Sequence, residues 1–345
     1  ILIVSKKYNT KMHTIAITGV GGGVGQSVLK SLQHSGYNIV ALDGEALAAG
    51  LYTVPKSYII PYSSKPDFIP ALLQICEQEK VSLLFPGLDA ELMPLSLNAE
   101  KFKAIGTTVV VSRPQVITIS DDKQATYDQL TAFGIKVPFT TGLTGFVPDD
   151  NSFPLIIKQK VGGARSKNIY LTKNKAEWNA AMEKIGNDAA SFIVMEYIEG
   201  DEYTCGSINL NDECKGVIVM RRILRDGDTH KCFSEKNTVI EAAVRKITEA
   251  IKPFGACNIQ LRMKDGIPYV FEINARCSGT TASRTLCGFN EPKMIADYLL
   301  QNIEPAYEIQ EKTILRYWKE LVVENEEVNQ MKTHKSLAVS TKRHL

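Results

Sequence analysis

The first third of the chain alternates short apolar runs with amphipathic stretches. Thr14 to Thr18 is a β-branched run that leads through Gly19-Val20-Gly21-Gly22-Gly23-Val24-Gly25 into a helical stretch, Gln26 to His34. Asn38 to Leu42 is a second strand closed by Asp43, and the helix-like Asp67 to Glu79 leads into the strand Val81 to Phe85. Thr107 to Val111 is a further strand. Strands alternating with helices imply a parallel sheet covered on both faces.

From about Ser120 the texture changes. Asp121-Asp122-Lys123 opens a helix to Phe133, with its acids at the positive end of the helix dipole. Phe153 to Lys158 is a strand that runs into a glycine-rich basic loop, Gln159 to Asn168, and Ser191 to Tyr197 is another apolar strand. Glu202 to Asn209 and Lys215 to Arg222 read as antiparallel strands, Asn237 to Ile251 as a helix of period 3.6, and Cys257 to Glu272 as a hairpin. The pattern predicts an α/β unit followed by an α+β one. Lys312 to Val323 is amphipathic and expected to dock on the body, whereas the polar, charged stretch Glu324 to Leu345 is expected to fray.

Composition excludes several classes. The 345 residues, 44% of them hydrophobic, suffice for two or three cores. A net charge of +2 with basic residues spread along the chain leaves no nucleic-acid footprint. Seven cysteines without a C-x-x-C pair argue against a disulfide framework or a structural zinc site, and fit a reducing cytoplasm. No stretch approaches the about 20 apolar residues that span a bilayer, so no membrane partner is expected.

Four features carry candidate chemistry. The first is Asn258-Ile259-Gln260, a turn at Lys264-Asp265-Gly266, then Glu272-Ile273-Asn274-Ala275-Arg276. Residues two apart share a strand face, so Glu272, Asn274 and Arg276 project together, as do Asn258 and Gln260. An odd hairpin loop puts both sets on one face, while a two-residue Asp-Gly turn puts them on opposite faces. On one face they offer hard oxygen ligands for Mg²⁺ and a guanidinium for a phosphoryl group. The second feature is Lys158 followed by Gly162-Gly163-Ala164-Arg165-Ser166-Lys167, which can approach phosphates but lacks the Walker A order. The third is the strand ending Glu196-Tyr197-Ile198-Glu199-Gly200-Asp201-Glu202, suited to hold adenine by its backbone and a ribose by a carboxylate. The fourth is the turn Gly19 to Gly25 with Asp43 at the next strand end, in the context of a dinucleotide fingerprint. Taken alone, the first reads as well as a solvated strand face, and the others read better as a basic surface loop, a strand end and a tight turn.

Their order along the chain, from about Thr14 to Leu300, resembles the ATP-grasp superfamily, and specifically one unit of the carbamoyl-phosphate synthase large chain. The resemblance implies a Rossmann-like domain over residues 1–115 and a two-lobed ATP-grasp domain over 116–305 with a lid at about 153–200. A C-terminal segment, 306–345, is left over, partly docked and then frayed. It implies Gln260, Glu272 and Asn274 as metal ligands and Arg276 as the cation at the phosphoryl group. Lys123 and Lys158 fall where basic residues contact the ATP phosphates, with Gly162, Gly163 and Ser166 in the lid loop. Glu196 and Ile198 fall where backbone groups hold adenine, Glu202 where a carboxylate takes the ribose, and Arg221 or Arg222 near phosphate or acyl substrate.

The implied cofactors are ATP and Mg²⁺, with Mn²⁺ as a substitute, and the implied partners are a small carboxylate and an amine, with a homo-oligomer left open. A stand-alone unit with Lys158 where the synthase often has Arg points to an ATP-dependent carboxylate–amine ligase. The alternatives are a carbamoyl-phosphate-synthase-like subunit, an NAD(P)-linked oxidoreductase using the Gly19 to Gly25 turn, and a nucleotide-binding module without turnover.

Overall fold

Runs rich in Ile, Val, Leu and Ala give the first sheet its buried strands. The computed structural model describes residues 12–162, 168–338 and 343–345. Strands β1 (Thr14–Ile17), β2 (Asn38–Asp43), β3 (Lys56–Ile59), β4 (Val81–Phe85) and β5 (Thr108–Val109) are parallel, in the order β3-β2-β1-β4-β5. Helices α1 (Gly23–Leu32), α2 (Phe68–Gln78), α3 (Asp89–Leu97) and α4 (Ala99–Ala104) join them. Strand order reverses between β1 and β4, which opens a crevice at their carboxyl ends.

Two helices follow, α5 (Pro114–Asp121) and α6 (Lys123–Ala132), and the Asp122 carboxylate caps α6 through the N–H groups of Gln124 and Ala125. A small antiparallel sheet comes next, formed by β6 (Thr140–Gly142), β7 (Leu155–Gln159), β8 (Tyr170–Thr172) and β9 (Phe192–Glu196) in the order β6-β9-β7-β8. Helix α7 (Lys175–Ile185) presses Trp178, Ala181 and Ile185 onto its Leu155, Ile157 and Val194. This sheet starts at Thr140, ahead of the residue 153 expected for a lid.

The third sheet is antiparallel, built from β10 (Asp201–Leu210), β11 (Glu213–Ile218), β12 (Met220–Arg225), β13 (Asp228–Ser234), β14 (Gly255–Lys264), β15 (Ile267–Asn274) and β16 (Thr313–Leu315). The stretch expected as one strand to Arg222 is two, broken at Val219: β11 pairs with the far half of β10, β12 with its beginning. Helix α8 (Thr238–Ile251) covers one face, packing Ile240, Val244 and Ile247 against Cys205, Cys257 and Ile259. On the other face, Ile208 and Leu210 share a core with α1 and with α10 (Glu291–Gln301), next to α9 (Thr281–Leu286). That shared core joins the first sheet to the third.

Through Ala338 the polar end carries regular structure where its composition suggested fraying. Helix α11 (Asn325–His334) opens on a capping box between Glu324 and Glu327, and β17 (Ser336–Ala338) adds antiparallel to the edge of β3. Two apolar residues, Met331 and Leu337, anchor this segment in the core that holds Leu51 and Tyr52. An average over charged residues hides such sparse anchors. Before it, Ile314, Leu321 and Val323 pack on the body while Tyr317 and Trp318 stand 84% and 86% exposed. Met331→Ala should lower stability by about 2–5 kcal/mol, read as a shift of the urea midpoint without a change in slope.

Candidate active site

The hairpin that was expected to carry the chemistry has the turn that should have split it. Lys264 pairs with Ile267 across the two residues Asp265 and Gly266, whose φ values of 52° and 76° suit a tight hairpin turn. The register then shifts by one between Leu261↔Val270 and Gln260↔Glu272, leaving Phe271 as a β-bulge. The extra residue moves Glu272 and Asn274 onto the face of Gln260 and Asn258. Ile259 and Ile273 turn into the core on the other side.

Three rows of side chains run across this face of the sheet. At one end Glu202 lies opposite both Arg222 and Arg262. In the middle Thr204, Gln260 and Glu272 align, and at the inner end Gly206, Asn258 and Asn274. Asn274 donates to the Glu272 carboxylate at 3.0 Å. The expected metal face is thus assembled in part: Glu272 and Asn274 meet, but the Gln260 Oε1 accepts from Arg222 at 2.7 Å. The Arg222 guanidinium occupies that oxygen, as the Arg276 guanidinium does the Asn274 Oδ1 at 3.2 Å, so a metal ion would share or displace both contacts. Among the described residues no group of three His, Cys, Asp or Glu side chains is placed for a metal. One carboxylate and one amide suit Mg²⁺, which keeps phosphate and water oxygens in its shell.

Two lysines face that carboxylate, Lys158 from the small sheet and Lys123 from the start of α6. Lys158, on β7, is buried, and its ammonium donates to the Tyr127 hydroxyl at 2.8 Å and to the Phe271 carbonyl at 3.2 Å. Tyr127 donates to the same carbonyl at 2.8 Å. The bulge therefore aims both the Glu272 side chain and a backbone acceptor into the site. Burial pushes the Lys158 ammonium down to about 7; Glu272 opposes the shift and Lys123 adds to it. Lys123 is also lowered by burial, against the pull of Glu272, Asp121 and Asp122, and donates to the Gly162 carbonyl at 2.7 Å. The Gly162 N–H reaches Asp121 at 3.2 Å, so the start of the basic loop is tied to the α5–α6 junction. Gly163 and Ser166 lie outside the described residues. Two ammoniums near one carboxylate, one buried and one half-buried, repel each other, and a polyphosphate between them would relieve that repulsion.

Arg276 meets a partner that nothing in the hairpin foretold. Its Nε and Nη2 hold the Asp89 carboxylate at 2.6 and 2.7 Å, and its Nη2 reaches the Asn274 Oδ1 at 3.2 Å. Asp89 opens α3 at the crevice between β1 and β4, so this pair brings the switch point of the first sheet to the site. Nearby, Glu91 is buried and accepts from Thr18 at 2.5 Å, and burial lifts its carboxyl to about 7.

The segment from Glu196 to Glu202 connects the small sheet to the large one. The Glu196 N–H and carboxylate both pair with the Phe139 backbone, at 3.0 and 2.8 Å, and the Ile198 carbonyl accepts from Arg262 at 3.3 Å. Glu202 is not the free carboxylate that was expected. Arg222 donates twice to its Oε1, at 2.9 and 2.6 Å, and Arg262 once to Oε2 at 2.6 Å. Three of about four lone-pair positions are filled. Arg262 also stacks on the Tyr197 ring at 4.9 Å.

Several of these residues had a readable signal. Arg262 is two positions beyond Gln260 on the same strand face, and Tyr127 lies one helical turn after Lys123. Asp89 had none, being 187 positions from its partner. Arg222, not Arg221, reaches the site; Arg221 lies over the Phe233 ring. The glycine turn, by contrast, is used up by packing. Asp43 accepts from the Gly21 N–H at 2.7 Å, and a Cβ on Gly21 would stand 2.8 Å from that of Ala48. A Cβ on Gly25 would meet the Gly19 carbonyl at 2.2 Å. Close backbone approach accounts for these glycines without a dinucleotide.

The fold is that of the ATP-grasp proteins. An N5-carboxyaminoimidazole synthetase from Staphylococcus aureus, solved with ADP, superposes with a TM-score of 0.72 at 18% identity, over 90% of this chain and 84% of that one. The L-amino acid ligase of Bacillus licheniformis gives 0.65 at 16%, over 85% and 75%. Residues 188–321 match the family described as ATP-grasp in the biosynthetic pathway with Ter operon, and residues 15–110 the PylC-like N-terminal domain. In sequence the chain is 24% identical over 248 residues to D-alanine–D-alanine ligase A of Bacillus cereus, covering 64% of this chain and 80% of that one. It is 25% identical over 240 residues to the carbamoyl phosphate synthase large chain of Thermoanaerobacter pseudethanolicus, but that match covers 63% of this chain and only 22% of the synthase. The chain thus has the ATP-grasp fold, and part of it, residues 188–321, matches an ATP-grasp family. No helix among the described residues is long and apolar enough to cross a membrane.

A lysine that titrates near 7 when free and regains its charge on a phosphate must take up a proton on binding. At pH 8, Mg-ATP binding should consume close to one proton, so affinity falls as pH rises above 7. Calorimetry in two buffers of different ionisation enthalpy reads that uptake, and Lys158→Ala should abolish it.

Proposed function

We propose that this ATP-grasp protein is an ATP-dependent carboxylate–amine ligase, forming an amide or peptide bond through an acyl phosphate. The observation that carries the reading is the convergence of Lys123, Lys158 and Arg276 on the Glu272–Asn274 pair, between two lobes of ATP-grasp architecture. Similarity to D-alanine–D-alanine ligase, an L-amino acid ligase and an N5-carboxyaminoimidazole synthetase supports it.

Lys123 and Lys158 bind the polyphosphate and balance its charge, with Gly162 and, in the same loop, Gly163 and Ser166 closing over it. Glu272 and Asn274 are the ligands for Mg²⁺, with Mn²⁺ as a substitute; the ion would neutralise phosphate charge and align the γ-phosphoryl group. Glu196, Ile198 and Glu202 line the nucleoside side, where Glu202 has one lone-pair position to share with a ribose hydroxyl. A substrate carboxylate oxygen attacks the γ-phosphorus, and the bond to ADP breaks. Arg276 stabilises the charge that spreads over the transferring oxygens. An amine nitrogen then attacks the acyl carbon, loses its proton, and phosphate leaves.

Asp89 holds Arg276 at the mouth of the β1–β4 crevice, which supports that crevice as the side from which the organic substrate arrives. The match to D-alanine–D-alanine ligase A, over 80% of that protein's length, favours amide-bond ligation over carbamoyl phosphate.

Two measurements test the reading. A phosphate-release screen against pools of amino acids, dipeptides and ammonia should find a pool that stimulates turnover, and Glu272→Ala should abolish that stimulation while the circular dichroism spectrum is kept. Near wild-type turnover in Glu272→Ala removes this carboxylate from the site. Mg-ATP, and not NADH, should raise the melting temperature; the reverse result would revive the dinucleotide reading.

A further inference from the structure

A fully buried ion pair sits at the inner end of the polar face. Arg284 on α9 and Glu291 at the start of α10 are both 0% exposed and meet at 2.8 Å. Glu291 also accepts from the Thr281 hydroxyl at 2.7 Å. Gly206 makes the space for them: a Cβ there would lie 2.3 Å from the Glu291 carboxylate and 2.6 Å from the Arg284 guanidinium. Among the described residues the Arg284 Nε has no partner. Leucine- or methionine-like residues would fill such a position with less desolvation, so packing alone does not explain the pair.

What an apolar pair cannot do is orient an amide. Arg284 Nη2 donates to the Asn258 Oδ1, and the Thr204 hydroxyl donates to the same oxygen at 2.8 Å. A flipped carboxamide would put its NH₂ against a guanidinium, which has no lone pair to offer. The Asn258 oxygen is therefore turned toward Arg284 and Thr204, which leaves the Nδ2 end of the amide on the opposite side. Asn258 shares its face with Glu272 and lies directly opposite Asn274. Beside the Glu272 carboxylate and the Asn274 amide, it contributes N–H groups.

We propose that the Arg284–Glu291 pair is a positioning device that holds Asn258 as a hydrogen-bond donor to the anionic oxygens of the transferring phosphoryl group. The proposal rests on the ligase reading above and adds a residue pair with no part in metal or nucleotide contact.

The probe is inorganic phosphate titrated calorimetrically into the wild-type Mg-ADP complex and into variants. Asn258→Asp keeps the shape and replaces the donor with an acceptor; R284M with E291Q keeps the volume and removes the charged clamp. A lost hydrogen bond to a charged group is worth roughly tenfold or more in affinity. Asn258→Asp should weaken phosphate by that factor and leave Mg-ADP nearly unchanged. The double variant should show the same split, with Arg284→Lys retaining more phosphate affinity than it does. Should the double variant fail to fold, Asn258→Asp decides alone.

Unchanged phosphate affinity in Asn258→Asp overturns the proposal. So does a parallel loss of Mg-ADP and phosphate in the double variant, which marks plain structural support. If the wild-type chain does not bind Mg-ADP, the ligase reading falls and this inference falls with it.

Discussion

Glu272 reaches the cleft because β15 carries one residue more than β14 along the stretch that ends at the Asp265-Gly266 turn. Without the bulge at Phe271, the tight turn would place Glu272 and Asn274 with Ile259 in the α8 core, where a lone carboxylate has no partner. The same extra residue turns the Phe271 carbonyl toward Tyr127 and Lys158. Strand register, the placement of a carboxylate and the burial of an ammonium thus depend on one local irregularity. That dependence explains why the lysine tolerates burial: its two protein partners are a hydroxyl and a carbonyl that the bulge supplies.

The remaining charges are organised by the sheet in a different way. Glu202 sits on the central strand with arginines at the same level on both neighbours, so the triad ties β12, β10 and β14 together across the entry to the connector between lobes. Gly200 in that connector has φ 137°, and a Cβ there would lie 1.9 Å from the Met263 carbonyl, so the connector is seated tightly on the strand that bears Arg262. Arg276 extends the same logic to the first sheet through Asp89.

Much of this was legible before any coordinates, and the limits have physical causes. Period-2 and period-3.6 patterns located β1, β2, β4, α6, α8 and the hairpin, because their apolar faces are long and regular. Polar residues on alternate positions located Glu272, Asn274 and Arg276, and the basic strand end located Lys158. The loop length was open between an odd loop and a two-residue Asp-Gly turn; the tight turn forms, and the faces converge through a bulge that has no strong residue signature at Phe271. Pairings across distant segments, such as Asp89 with Arg276 or Arg222 with Gln260, leave no mark on local periodicity. The C-terminal segment was misjudged because Met331 and Leu337 are a small minority in a charged stretch, yet decide whether it docks.

Taken as a set, the contacts divide the cleft into two kinds of cation. Arg222, Arg262 and Arg276 are neutralised by Glu202 and Asp89, whereas Lys123 and Lys158 lean on uncharged oxygens of Gly162, Tyr127 and Phe271. An incoming polyanion gains most where positive charge is hydrogen-bonded to dipoles rather than paired directly with a carboxylate, which is the lysine side of Glu272. At Arg276 it must share the guanidinium with Asp89. Under the proposed reading that asymmetry would order the cleft: the nucleotide's phosphates would settle against the lysines, with Arg276 left facing the crevice of the first sheet. A group placed between them has a cation on each side and the Glu272–Asn274 pair beneath it, which is the arrangement that in-line transfer from a phosphate to a carboxylate requires.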